Sequence, residues 1–497
     1  MAKILSGIGQ MLHVPALMAA LSVLIAWIFG ESEGAWAFLL TATAAIIPGQ
    51  LLFRLYRNKQ DTFNISQIMW VATLGWTAVS LIGAIPFYFQ TYLLSAAEVK
   101  TFALSPFQSF YNCFFESVSG YTSTGLTLTI AESEMPHSLQ WWRTFTQWIG
   151  GVGIIVFISA FHPGLMSVSS HYQKGSEDES MPSISVNWQK IWWIYILLTV
   201  AGIVALWFQE INLWEAVNHG MTGISTGGFT ITDQSLTTYS PNQKVTVIIL
   251  MLIGSLNFNL YHFLFVRGDW KRFLGNQQHI VFFSLLILGS LILYYENEIW
   301  FDYDAGWLDT VFQMFSGLGT CGFQTVDLVS WSSTSLLFLG LMMLIGGPSA
   351  STTGGIKIFR FILFVKGNIV NTVYWMYQRE PRFRFRFQGR SYSQEKALKL
   401  YRSTGTFIFF WVTFYLIMTY ILIHNVPASY GLGEIAFESA SAMGSVGLTT
   451  GITGHEMNWT AKTDLLISML VGRMELIPLV IFFSSVLKEK VSRDKEA

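Results

Sequence analysis

Four short stretches of this chain nearly repeat one another, and any fold must account for all four together. They are Ser119–Thr127 (SGYTSTGLT), Thr222–Thr230 (TGISTGGFT), Ser316–Gln324 (SGLGTCGFQ) and Ser441–Thr449 (SAMGSVGLT). Stacked without gaps, they put Gly125, Gly228, Gly322 and Gly447 in one column. A large apolar residue follows each: Leu126, Phe229, Phe323 and Leu448. One such loop alone reads as a glycine turn between helices. Four at matching positions read as a single device made by internal repetition. Gathered around one axis, four glycine loops can aim backbone carbonyls at a desolvated cation.

Hydropathy sets the solvent. Of 497 residues, 52% are hydrophobic and only 12% are charged, about half the charge of an ordinary soluble domain. Mean hydropathy is +0.45. A net charge of −1 gives no global field toward nucleic acid. Two cysteines, Cys113 and Cys321, cannot be a disulfide framework for so long a chain. The fold class expected is an all-α polytopic membrane protein. Runs near the ~20 apolar residues that a bilayer core requires lie at 11–29, 36–55, 67–90, 141–161, 189–208, 243–266, 279–295, 332–365, 404–424 and 463–487. The first of these has no Ala-x-Ala exit and reads as a retained span.

Shorter helical pieces at 106–118, 213–222, 305–316 and 433–442 precede the glycine stretches. They are too short to cross and read as re-entrant half-helices. The order span, half-helix, glycine loop, span therefore recurs four times after an extra hairpin. The expected division is a hairpin over 1–62 and pore repeats over 63–175, 176–272, 273–395 and 396–497. Lys3, Arg54, Arg57, Lys59, Lys174, Lys190, Arg267, Lys271, Arg272, the cluster from Arg379 to Arg402 and the tail residues Lys488, Lys490, Arg493 and Lys495 fall on one side. Glu31, Glu33, Glu98, Glu132, Glu134, Glu296 and Glu298 mark the other. Positive charge stays in the cytoplasm, so both termini are expected there.

The loops suit a cation. Glycine allows the backbone angles and the close approach, Thr and Ser neighbours add hydroxyls, and each half-helix turns its negative C-terminal end inward. The expected filter is Thr122, Ser123, Thr124 and Gly125; Ser225, Thr226, Gly227 and Gly228; Gly319, Thr320, Cys321 and Gly322; and Gly444, Ser445, Val446 and Gly447. Residues 317–322 also match G-x-G-x-x-G, but that pattern binds dinucleotides only between a strand and a helix. Cys321 reads as a small wall residue rather than a redox or metal group.

At these residues the chain resembles the Trk/Ktr/HKT superfamily of potassium transporters, and within it the TrkH/TrkG branch. The resemblance covers about 67–490. The segments Ile345–Lys357 (IGGPSASTTGGIK) and Gly472–Leu476 (GRMEL) strengthen it. It implies K+ as the transported ion, a homodimer with a pore in each protomer, a bacterial inner-membrane location and regulation by a cytosolic nucleotide-binding ring of RCK/KTN type. No covalently bound cofactor and no nucleic acid are implied; nucleotide enters only through the partner. In related plant transporters a serine at the first filter glycine goes with sodium transport, and here that position is Gly125. The third and fourth loops depart from the first two, with Gly319 and Gly444 where Thr122 and Ser225 stand.

The run from 332 to 370 is too long for one straight span, and its Gly- and Pro-rich middle cannot stay helical. Broken backbone at membrane depth must be buried or line water. An intramembrane loop under the filter is expected, and the resemblance gives it the role of gate: Gly346, Gly347, Pro348, Ser349, Ala350, Ser351, Thr352, Thr353, Gly354, Gly355 and Lys357, with Arg473. A passive helix kink is the plainer alternative. Arg473 sits in an apolar span, where a charge costs several kcal/mol and faces a cavity or a partner. It is expected to be an electrostatic barrier beneath the filter or a structural pair with Glu475, Glu438 or Glu116. The alternating run Arg379–Phe387 reads as a short strand or hairpin meeting the ring, or as a basic flank on lipid headgroups, and Glu177–Glu179 as solvated.

A channel-like transporter is the first expectation and a K+/H+ or K+/Na+ symporter the second. The carboxylates that could carry a proton are Glu116, Glu215, Asp309 and Glu438, all on half-helices and expected to be structural. An enzyme is not expected, since no nucleophile–base or H-E-x-x-H motif is present.

Overall fold

The computed structural model describes residues 1–56, 65–94, 103–161, 188–301, 306–377, 385–387, 390–392 and 394–474. Glu177–Glu179, the start of the basic run at 379–384, Glu475 and the C-terminal lysines lie outside the described residues. Helices α1 (Ala2–Ile28) and α2 (Ser32–Tyr56) form the extra hairpin. The remaining described helices are α3 (Ile65–Gly83), α4 (Ile85–Leu93), α5 (Phe110–Tyr121), α6 (His137–Phe161), α7 (Trp188–Trp207), α8 (Leu213–Ile224), α9 (Pro241–Ser255) and α10 (Phe258–Arg267). They continue as α11 (Trp270–Leu274), α12 (Gln277–Tyr294), α13 (Trp307–Leu318), α14 (Ser333–Ile345), α15 (Ile358–Tyr377), α16 (Gln394–Ile423), α17 (Leu432–Gly444) and α18 (Trp459–Arg473). Two three-residue strands, β1 (Phe385–Phe387) and β2 (Arg390–Tyr392), pair antiparallel with Arg386 opposite Ser391.

The expected half-helices are α5, α8, α13 and α17, each of 12 or 13 residues. Among the described residues, six helical stretches are long and apolar enough to cross a membrane, or seven if the bent pair α9 and α10 counts as one. Helix α6, the broken pair α14 and α15, and α18 are the other elements in the expected count of ten. The run 67–90 holds as one span over 66–93, interrupted only at Ala84, where Pro86 in the first turn of α4 has no N–H to give. The run 243–266 bends by 95° between α9 and α10. There the Asn257 side chain caps Asn259 N, and Phe258 N donates to Ala350 O of a later repeat, so the broken backbone is satisfied.

The outer face is apolar: Trp27, Trp207, Phe208, Trp300 and Trp459 are all more than half exposed. Exposed aromatics near helix ends fit a membrane–water interface, and the chain is a multi-pass membrane protein. The hairpin is tied to the rest by Glu31, whose carboxylate accepts His137 N at 2.7 Å and Ser138 N at 3.0 Å. A carboxylate there satisfies free amides at the start of α6 and complements its dipole.

Candidate functional site

The four half-helices end alike. In each, the residue two before the column glycine is left-handed: Ser123, Thr226, Thr320 and Ser445 have φ of 53°, 49°, 49° and 52°. Their amides donate back to Gly120 O, Gly223 O, Gly317 O and Ala442 O at 2.8–3.2 Å. The next amides, of Thr124, Gly227, Cys321 and Val446, reach Ser119 O, Thr222 O, Ser316 O and Ser441 O at 2.8–2.9 Å. This is a Schellman-type stop. It spends the loop's N–H groups on the helix end and turns the chain back on itself.

The column glycines follow at φ of 95°, 78°, 91° and 97°, angles that only glycine adopts without strain. A Cβ on Gly125 would overlap Gly227 O, one on Gly228 Cys321 O, one on Gly322 Val446 O, and one on Gly447 Thr124 O. Each loop thus packs on the carbonyl just before the glycine of the next, and the fourth packs on the first. The four segments form a closed ring. The filter residues expected from sequence all lie in it, and all except partly buried Gly125 and Gly228 are buried.

Side chains behind the ring hold it. Six residues before the glycine, the Ser119, Ser316 and Ser441 hydroxyls each accept the column glycine's N–H at 3.0 Å. The second loop differs, since Thr222 donates to Asn218 O instead. Nine residues before the glycine stand Glu116, His219, Gln313 and Glu438, all buried. Each reaches the strand leaving the ring. Glu116 accepts Thr127 Oγ1 and Leu128 N, at 2.8 and 3.1 Å. His219 Nε2 accepts Ile231 N at 3.2 Å, which leaves Nδ1 to bond the Tyr239 hydroxyl. Gln313 donates to Thr325 Oγ1 at 3.2 Å. Glu438 accepts Thr449 Oγ1 at 2.8 Å, Thr450 N and Thr453 N at 3.1 Å, and also Thr453 Oγ1.

Two residues of α6 complete the first interface between loops. Arg143, 1% exposed, donates from Nε to Glu116 Oε1 at 2.9 Å and from Nη1 to Thr230 O at 2.9 Å, with its guanidinium 4.2 Å over the Phe229 ring. Gln147 donates to Gly227 O and accepts Phe229 N, so the second loop's carbonyl is engaged from the side. Outside the spans, Glu132 lies 4.0 Å from Arg143. Burial pushes the Glu132 carboxyl up from the usual 4.5 to about 7, against the pull of Arg143.

Residues 346–357 cross under the ring, between α14 and α15. Ser351, Thr352 and Thr353 are buried. The Thr352 hydroxyl lies 3.0 Å from Thr226 Oγ1 and donates to Gly254 O at 2.9 Å, while Gly354 N donates to Thr320 Oγ1 at 2.8 Å. The loop therefore hangs from the left-handed residues of the second and third glycine loops. Ser349 N is held by Gln278 Oε1 at 2.8 Å and Ala350 O by Phe258 N at 2.9 Å. Lys357 Nζ turns back onto Thr353 O and Thr353 Oγ1. From the opposite side Arg473, 4% exposed, donates to Thr352 O at 2.7 Å and to Gly150 O and Gly151 O at 2.7 and 2.9 Å. Glu116 and Glu438 are engaged elsewhere and form no hydrogen bond with it.

Sequence reasoning missed Arg143 and Gln147, and of the column nine residues before each glycine it singled out only Glu116 and Glu438, as structural carboxylates. The serines six before the glycine open three of the four repeated stretches, so their signal was present without its meaning.

A family model described as a cation transport protein matches residues 35–494. Among curated relatives, the Trk system potassium uptake protein TrkH of Escherichia coli is 27% identical over 93% of this chain and 94% of its own length. An uncharacterized cation transporter of Methanocaldococcus jannaschii is 26% identical over 88% of each chain. The crystal structure of the potassium transporter TrkH from Vibrio parahaemolyticus shares the fold, with a TM-score of 0.81 over 97% of this chain and 98% of that one at 23% identity. These relatives are ion transporters and not enzymes. With a match that runs through the ring, the loop beneath it and all four half-helices, the chain belongs to the TrkH family of cation transport proteins.

Proposed function

We propose that this protein takes up K+ across the bacterial inner membrane through the ring of four glycine loops, with residues 346–357 and Arg473 as the gate below it. The observation that carries the reading is the closed cycle of glycine–carbonyl contacts through Gly125, Gly228, Gly322 and Gly447. Backbone oxygens held at fixed separation can replace a hydration shell. The names of the Escherichia coli relatives, which include both TrkH and TrkG potassium uptake proteins, support K+ as the ion. We assign both termini to the cytoplasm, where a nucleotide-binding ring of RCK/KTN type would act on a homodimer. The β1–β2 hairpin is a candidate contact for that ring.

Symport with H+ or Na+ is the competing reading, and the four half-helix carboxylates do not favour it. Glu116 and Glu438 are saturated as described. Asp309 pairs with Lys244 at 2.7 Å, and Glu215 accepts the Tyr239 hydroxyl at 2.7 Å. The test replaces Gly228 by Ala and measures K+, Rb+ and Na+ uptake in a host that lacks its own potassium uptake. Preference for K+ over Na+ should fall together with K+ uptake. A variant with parental uptake and preference would refute the filter assignment.

A further inference from the structure

Away from the ring, α18 carries a carboxylate with nothing to bond it. Asp464 is 3% exposed, and neither of its side-chain oxygens has a hydrogen-bond partner. A buried ionised carboxylate without a partner is strongly disfavoured and takes up a proton or a cation instead. Two further buried hydroxyls without partners, Ser468 Oγ and Ser439 Oγ, stand on α18 and on the neighbouring α17. The two helices run side by side in the same direction. Near their starts, Asn458 Nδ2 donates to Asn425 O, in the turn that joins α16 to α17, at 2.7 Å. At their ends, Gly472 packs so close to Met443 O that a Cβ would overlap it. Ser468 and Ser439 each lie one turn above that contact on their own helix, and Asp464 one turn higher.

The titratable groups on the packed elements are bonded elsewhere. On α17, Glu438 serves the loop that leaves the ring and Glu434 accepts Gly431 N. On α16, the Tyr415 hydroxyl donates to Ala436 O and His424 Nδ1 bonds Tyr420 O. On α5, Glu116 is held by Arg143 and the Tyr111 hydroxyl meets Thr463. On α18 itself, Lys462 donates to Asn112 Oδ1 and His455 O, and Arg473 to the loop carbonyls beneath the ring.

We propose that Asp464, with Ser468 and Ser439, forms a second cation site between α17 and α18, outside the conduction ring, that takes one small monovalent charge on hard oxygen donors. Two sources supply that chemistry, a proton and Na+. Occupancy braces α17, whose far end carries Ser445, Val446 and Gly447 of the ring. The site does not depend on the ring being a K+ filter, because its occupancy is read as stability.

The test uses the full-length protein in detergent. Melting temperature is measured against pH from 5 to 8 in choline chloride, and against Na+ from 0 to 200 mM at pH 8, for the parent and for Asp464→Asn. The ligand binds only the folded state, so occupancy raises the melting temperature, by about 2 °C or more. A larger rise on acidification in the parent than in Asp464→Asn, which keeps every other titrating group, identifies the proton. A rise with Na+ that Asp464→Asn lacks identifies sodium. Ser468→Ala keeps the carboxylate and should weaken either response. Responses equal in the parent and in both variants overturn the site. Should Asp464→Asn not fold, the same two titrations on Ser468→Ala and Ser439→Ala decide, and an unchanged midpoint in both overturns it.

Discussion

Gly447 packs its bare Cα against the Thr124 carbonyl, and this contact joins the last repeat to the first. A Cβ at Gly447 would also stand 3.0 Å from Gly125 Cα, tighter than an ordinary Cβ contact. Three similar contacts make the rest of the ring, but only this one links segments more than 300 positions apart in sequence. Its integrity therefore reports on the whole circle rather than on one turn.

Gly447→Ala is expected to abolish K+ uptake. The left-handed angle costs an alanine ~1–3 kcal/mol by itself, and the overlap with Thr124 O must then be relieved by opening the ring. Gly454→Ala is the control, because nothing lies within 4 Å of a Cβ there. The measurement is K+ uptake per amount of folded protein in the membrane. Parental uptake by Gly447→Ala would mean that the ring does not carry the ion.

The sequence disclosed what repeats by residue type, and hid what repeats by role. The glycine column shows by eye because only one residue tolerates those angles. The buttress nine residues earlier is Glu116, His219, Gln313 and Glu438, three residue types that share one task. No comparison of letters groups them; only the bonds to the departing strand do. Arg143 was hidden for another reason. It lies in a run rich in Trp and Phe that reads as a plain span, and its partners Glu116 and Thr230 come from other segments. The bend after Ser255 could not be foreseen either, since Phe258 N finds its acceptor at Ala350, across the repeat boundary. The break at Ile345 was legible because Gly346 and Pro348 rule out helix locally.

Arg473 is expected to restrain flux. Its guanidinium joins Thr352 O of the loop to Gly150 O and Gly151 O of α6, which clamps the loop, and under the proposed gate it would also put a positive charge in the path. Arg473→Ala removes both. Each ~1.4 kcal/mol taken from the barrier is worth about tenfold in rate, so K+ flux into proteoliposomes should rise several-fold or more. Arg473→Lys keeps the charge but not the planar fork that serves three carbonyls, and should fall between. Flux equal to or below the parent in Arg473→Ala, with the protein folded, would count against a barrier here.

Glu132 carries a pH dependence of predictable sign. Its carboxyl, pushed by burial from 4.5 to about 7, holds its proton in the folded protein after the unfolded chain has lost it. Between those values the folded state binds more protons, so its stability falls as pH rises, and the loss is complete above about 7. The separation bounds the effect at about 3 kcal/mol. Glu132→Gln cannot ionise and should lack this slope. The melting temperature of the parent, taken relative to Glu132→Gln, should therefore decline from pH 5 to pH 7.5 and level off beyond. A flat difference would show that Arg143, 4.0 Å away, already keeps Glu132 charged across the range.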